Sequence, residues 1–289
     1  MAPASLRALL TGLIDYAGLF PPAALPLADV ARNYGTYLQS VDRWALGRLV
    51  VPAARLGELV GVVHATATPW PLTVLVGDDV AGDAARIAAV ADTPHIAVES
   101  AEVRATTVAQ IRSAVGALFS VPEVYVELPL STDLPTLVKA VADVGVRAKI
   151  RTGGVTADAI PSAADCARFI DACASRRVPF KATAGLHHPV RGRYALTYAP
   201  DAPRGEMFGF LNIFIAAALA RTGVDSKEVE YVLGETDARS FEFGAVGMSW
   251  RSHSLSLHDL QATRQSLAIT FGSCSFREPL DDLTQLGLL

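Results

Sequence analysis

Two lysines stand inside short runs that are otherwise mostly apolar or small: Lys149 in "VRAKIRTGG" and Lys181 in "PFKATAGLHH". A lysine in a buried strand is costly unless it is paired or neutral. Two β-rich runs upstream offer carboxylates at comparable depth, Glu99 in "HIAVES" and Glu127 in "EVYVELPL". Paired lysines have a chemical use. A neutral lysine attacks a carbonyl, and desolvation or a nearby second cation lowers its pKa. The imine then draws electrons from a breaking C–C bond, while a carboxylate or water moves the proton. Mutual ion pairing among the four groups is the bland alternative, and it too would concentrate charge at one place.

These residues need a scaffold that brings them together. The chain alternates β-rich runs with helical patterns, the signature of βα units around a parallel sheet. Strands are predicted near residues 12–20, 48–53, 71–77, 95–100, 123–130, 146–154, 179–186 and 268–276. Between them, apolar residues such as Leu27, Val30, Tyr34 and Leu38 recur at helical spacing. The rhythm breaks after the seventh strand. A very apolar helix near residues 207–220, a hairpin near 240–250 and a helix near 257–266 come before the eighth strand. The expected fold is a single (β/α)8 barrel over residues 1–289. Residues 194–254 form an elaboration at its mouth, with Trp250 as a lid candidate. The runner-up is a doubly wound open sheet, weakened because no Gly-rich dinucleotide fingerprint follows an early strand.

In a barrel, catalytic groups gather at the C-terminal ends of the strands. The candidates there are Asp15 on the first strand, Glu99 on the fourth, Glu127 on the fifth, Lys149 and Arg151 on the sixth, and Lys181 and Thr183 on the seventh. Gly272, Ser273 and Ser275 end the eighth. Lys149 and Arg151, two apart, share a face. His187 and His188 have three readings: metal ligands with Glu99 and Glu127, substrate-orienting or acid–base groups, or loop residues packing on Pro189. Adjacent histidines rarely hold one ion, and no HxH or HxxxH spacing supports a metal. Arg191 and Arg193 are anion binders or a solvated loop. Cys274 is a reactive thiol or a small core residue.

The later strands resemble those of the deoxyribose-phosphate aldolase-like class I aldolases. "AKIRTGG" is similar to that family's Lys-x-x-Thr-Gly, "FKATAG" to its strand-seven lysine before a glycine turn, "FGSCSF" to its Phe-Gly-x-Ser-Ser, and "VELP" to its strand-five glutamate. The resemblance implies a Schiff base on Lys149, Lys181 as the second lysine that lowers its pKa, and Glu99 where the family has a proton-transferring aspartate. It also implies that Gly185, Gly272 and Ser273 would lie near any substrate phosphate. The chain departs from the family in the "AGLHHPVRGR" turn, in Arg151, and in the length of the segment before the eighth strand.

Composition narrows the partners. The chain has 289 residues, 51% hydrophobic and 19% charged, with a formal net charge of −4 and no basic run. That argues against nucleic acid as the main partner. Cys166, Cys173 and Cys274 form no disulfide framework. The N-terminus lacks a signal-peptide layout, and the apolar helix is too short to span a bilayer. The expectation is a cytoplasmic enzyme without a cofactor, acting on a small carbonyl substrate. Alternatives are a metal-dependent hydrolase or lyase, and a non-catalytic barrel binding a metabolite or, through its apolar helix, a partner such as a second copy.

Overall fold

The computed structural model describes residues 2–63 and 68–289. Its strands are β1 (Ile14–Tyr16), β2 (Leu46–Pro52), β3 (Trp70–Leu75), β4 (Ile96–Arg104), β5 (Glu123–Glu127), β6 (Arg147–Arg151), β7 (Phe180–Thr183), β8 (Gly192–Ala195), β9 (Arg204–Met207), β10 (Phe241–Phe243), β11 (Gly247–Trp250), β12 (His253–Ser256) and β13 (Ala268–Ser273). Strands β1 to β7 and β13 close into a parallel eight-stranded barrel in the order β1-β13-β7-β6-β5-β4-β3-β2. Helices alternate with these strands, as a (β/α)8 barrel requires. The open-sheet alternative is thereby excluded.

Local chemistry starts and stops the helices where the barrel needs them. Thr107 and Ser162 accept the backbone N–H of Gln110 and Asp165, capping helices Val108–Ala117 and Ala163–Arg176. Pro135 sits in the first turn of Leu134–Asp143, where its missing N–H costs nothing. Along β5 to β7, Val126, Ala148, Ile150 and Ala182 alternate with the polar residues and are buried in the apolar layer. The polar set therefore lines the barrel interior.

One strand departs from the sequence reading in a way that matters. β4 does not stop at Ser100 but runs on to Arg104. Its register against β3 skips a residue, pairing Leu72 with Val98 but Thr73 with Ser100. The extra residue is Glu99, a bulge that resets the parity of the strand beyond it. Glu99 then sits low in the barrel, where Arg48 Nε donates to it at 2.8 Å. Glu123 extends this lower ion-pair layer, at 2.9 Å from Arg48 and 2.7 Å from Arg147.

The elaboration before β13 goes to several places. β8 and β9 form an antiparallel pair, and Leu196, just past β8, and Met207, the last residue of β9, reach the barrel mouth. Helix Phe210–Arg221 takes the outer-ring position against β13, with Phe210 and Phe214 5.3 and 6.1 Å from Phe271 between ring centroids. Helices Ala163–Arg176, Ser226–Leu233 and Leu257–Ser266 cover its other sides, which is why it is apolar all round. The antiparallel sheet β10-β11-β12 packs on helix Ala4–Leu10, with Ser5 and Gly244 exchanging hydrogen bonds. That helix precedes β1, so the sheet lies toward the N-terminal ends of the strands. Trp250 is fully buried there, donating to Glu235 at 3.2 Å, and is no lid.

Asn212 pins the apolar helix. Its amide donates to the carbonyls of Val232 and Glu235 at 2.7 and 2.8 Å, and its oxygen accepts from the backbone N–H of Arg191 at 2.8 Å. Asn212→Leu leaves the Glu235 carbonyl and the Arg191 N–H without partners, while Val232 keeps the backbone N–H of Glu235 at 3.2 Å. At about 1–3 kcal/mol for each unsatisfied group, a loss of several kcal/mol is expected in chemical denaturation.

Candidate active site

The barrel brings Lys149 and Lys181 side by side as direct register partners on β6 and β7, with Glu127 next on β5. Both lysines are essentially without solvent exposure. Between them stands Glu102 of β4, a residue the sequence reading missed. Its Oε2 lies 2.6 Å from Lys149 Nζ and its Oε1 2.5 Å from Lys181 Nζ. Lys149 also meets Glu127 Oε2 at 2.7 Å, and Lys181 meets Asp15 Oδ2 at 2.6 Å. Asp15 is held in turn by Thr270 Oγ1 at 2.9 Å and the Arg48 backbone N–H at 2.8 Å. The result is a chain of alternating charge, Asp15–Lys181–Glu102–Lys149–Glu127. Arg104 and Arg151 close it, both donating to Glu127 Oε1, at 3.1 and 3.2 Å.

Glu99 is not part of this centre. The strand-four carboxylate is Glu102, three residues on, because the bulge and the longer strand shift the functional depth. The signal was present in "VESAEVR", where polar and apolar residues keep alternating to Arg104.

Protonation follows from the contacts. Burial alone would raise the Glu102 pKa, but the two ammonium groups outweigh it and hold it at about 2. Burial opposes charge on Lys181 as well, yet Asp15 and Glu102 push its pKa above the ordinary lysine value. Glu127 is also lowered: burial opposes this, but Lys149 and Arg151 prevail. Asp15 and Glu102 thus favour the charged form of Lys181.

A cavity of about 450 Å³ opens on the C-terminal side of the centre. Lys149 is on its floor, whereas Lys181 lies beneath and does not reach it. Arg104, Arg151 and Thr183 supply polar wall; Ala17, Phe20, Val50, Leu75, Leu196 and Met207 supply apolar wall. Gly153 and Gly185 meet back to back there. A Cβ on Gly185 would lie 3.1 Å from Gly153 Cα, and its φ of +75° is one that only glycine adopts freely. Gly185→Ala is expected to cost about 1–2 kcal/mol for the backbone angle alone. Thermal unfolding checks this; an unchanged midpoint would contradict it.

The remaining sequence candidates divide. Gly272 lines the cavity. Ser273 is buried and its hydroxyl meets His187 Nδ1 at 3.4 Å. Ser275 turns away and accepts the backbone N–H of Glu278 at the start of the last helix, Arg277–Gln285. His187 lines the cavity, but His188 stacks on Tyr194 and meets Asp282 at 2.6 Å. Arg191 lies over the Phe208 ring, outside the cavity. His187, His188, Glu99 and Glu127 thus occupy separate places, and the proposed metal-ligand set does not assemble. Among the described residues, no group of three or more His, Cys, Asp or Glu is placed to hold an ion, and no helix is long and apolar enough to cross a membrane.

A closed (β/α)8 barrel with a buried charge chain under a cavity at its C-terminal face is an architecture that commonly carries enzymes. Neither a protein-family model nor a curated protein matches the chain.

Proposed function

We propose that the protein is a class I, Schiff-base-forming lyase of the aldolase type, acting on a small oxygenated carbonyl compound. The observation that carries this reading is Lys149 on the cavity floor, its amine held between two carboxylates within 2.7 Å. Those carboxylates are the proton acceptors that imine formation requires. Glu127 is the better one: Glu102 already neutralises two ammonium groups.

Lys149 gives a proton to Glu127 and adds its lone pair to the substrate carbonyl, whose π pair moves to oxygen. A second proton passes from the nitrogen to that alkoxide, giving the neutral carbinolamine, and Glu127 returns the first to the hydroxyl, which leaves as water as the nitrogen lone pair forms the iminium. The iminium accepts the electron pair of the adjacent C–C bond as a neighbouring hydroxyl gives its proton to Glu127, again a carboxylate, releasing an aldehyde and leaving an enamine that this proton then quenches at carbon. The similarity of "AKIRTGG" and "FKATAG" to the deoxyribose-phosphate aldolase-like family supports the same assignment. The charges set a preference for the substrate. Lys149, Lys181, Arg104 and Arg151 face three carboxylates, Asp15, Glu102 and Glu127, leaving one positive charge in excess. A substrate bearing one anionic group, phosphate or carboxylate, fits that excess, with Arg104 and Arg151 at the wall to receive it.

Borohydride reduction in the presence of small aldehydes and ketones tests the proposal. A stable mass increase on Lys149 is expected. No adduct with any carbonyl compound in a broad panel would overturn the reading.

A further inference from the structure

A second reactive cluster lines the same cavity, at the exits of β7 and β13, and the Lys149 chemistry does not use it. His187 Nδ1 lies 3.9 Å from Cys274 Sγ, 3.4 Å from Glu278 Oε2 and 3.4 Å from Ser273 Oγ. Tyr198 bridges the other side. Its hydroxyl is 3.5 Å from Cys274 Sγ and donates to Glu278 Oε2 at 2.8 Å. Both Cys274 and His187 contribute to the cavity wall. The other two cysteines, Cys166 and Cys173, are buried in the apolar core, away from the cavity.

We propose that Cys274 is a second carbonyl-capturing group of this cavity, a thiolate paired with His187 that adds reversibly to a small aldehyde. The sulfur lone pair forms the C–S bond, the C=O π pair moves to oxygen, and that oxygen takes the proton carried by His187. The product is a neutral thiohemiacetal, with no net oxidation or reduction. The capture stands by itself; only where the aldolase reading also holds is the aldehyde the fragment released from Lys149.

The surroundings favour the ion pair. Glu278 faces His187 from the last helix, and with Cys274 it raises the imidazole pKa to about 9 against the opposing effect of burial. Burial also opposes ionisation of Cys274, but His187 and Tyr198 bring its pKa below the usual thiol value. The other titratable groups nearby are Tyr16 at the exit of β1, and His188, already paired with Asp282.

Iodoacetamide labelling, resolved by peptide mass spectrometry, tests this with the full chain. Cys274 should label at pH 7 at least about tenfold faster than Cys166 or Cys173, with a rate–pH midpoint below the free-thiol value of about 8.5. His187→Gln should move that midpoint up. Tyr198→Phe, at a half-exposed residue, should move it the same way by less and serves if His187→Gln does not fold. Preincubation with propanal should slow labelling equally in wild type and Lys149→Ala. The proposal is overturned if Cys274 labels no faster than the core cysteines, or if its midpoint ignores both substitutions. Protection by propanal in wild type but not in Lys149→Ala would overturn the capture and leave the Lys149 imine standing.

Discussion

Alanine at Lys149 is expected to abolish reductive trapping completely while leaving the barrel folded. The reason for the first half is access: among the lysines, only Lys149 lines the cavity. The reason for the second is that no carboxylate is orphaned. Glu102 keeps Lys181 at 2.5 Å, and Glu127 keeps Arg104 and Arg151. Glu127→Gln should retain trapping but slow it by roughly 10²–10⁴, the usual worth of a positioned acid–base group. Peptide mass spectrometry after borohydride locates the adduct. If Lys149→Ala still traps and Lys181→Ala does not, the two lysines have exchanged roles.

Lys181→Met is expected to be among the most destabilising single changes in the protein. The family resemblance implies that this lysine serves to lower the pKa of Lys149. The structure gives it a different duty. Glu102 sits between the two ammonium groups and takes up much of their repulsion, while Lys181 is the direct counter-charge of both Asp15 and Glu102. Removing it leaves Asp15 without a counter-charge in the barrel interior and Glu102 with Lys149 alone, at 2.6 Å. Breaking a buried pair by deleting one partner typically costs about 3–5 kcal/mol. The pH dependence separates this cause from a simple packing defect. In the wild type, Glu102 has a folded pKa of about 2, below the free value of roughly 4.3. Its contribution is thus intact above pH 4.3 and lost as the pH falls toward 2. Lys181 has a raised folded pKa, so its contribution is intact below the ordinary lysine value of about 10.4 and lost only above its folded pKa. In Lys181→Met, protonating the stranded Asp15 carboxylate relieves the penalty. The gap in melting temperature between variant and wild type should therefore narrow as the pH drops from 7 to 4. A gap that stays constant would mean that lost packing, not uncompensated charge, is responsible.

Local residue patterns were enough to specify the barrel and most of its charged interior. Period-2 patterns in "VYVELP", "RAKIRT" and "FKAT" assign Glu127, Lys149, Arg151 and Lys181 to one face, because alternation in a strand is local. The order of βα units then allows few topologies. Asp15 was legible for the same reason, as a lone carboxylate in an apolar first strand. Three things were decided only by tertiary structure. The first is Glu102 in place of Glu99: a bulge reverses parity, and a bulge is fixed by pairing with the neighbouring strand, not by composition. The second is the different placement of the two lysines. Both have the same local pattern, but only the closed barrel places Lys181 beneath the cavity floor between Asp15 and Glu102, with Lys149 facing the space above. The third is the destination of the residues before β13. Their apolar helix and hairpin read alike as coverings of the mouth. Long-range contacts send the helix to the outer ring against Phe271 and the sheet to the helix Ala4–Leu10, leaving β8 and β9 near the cavity. Where an element docks depends on which buried face it meets, and that partner can lie more than two hundred residues away in the chain, as Ser5 does from Gly244.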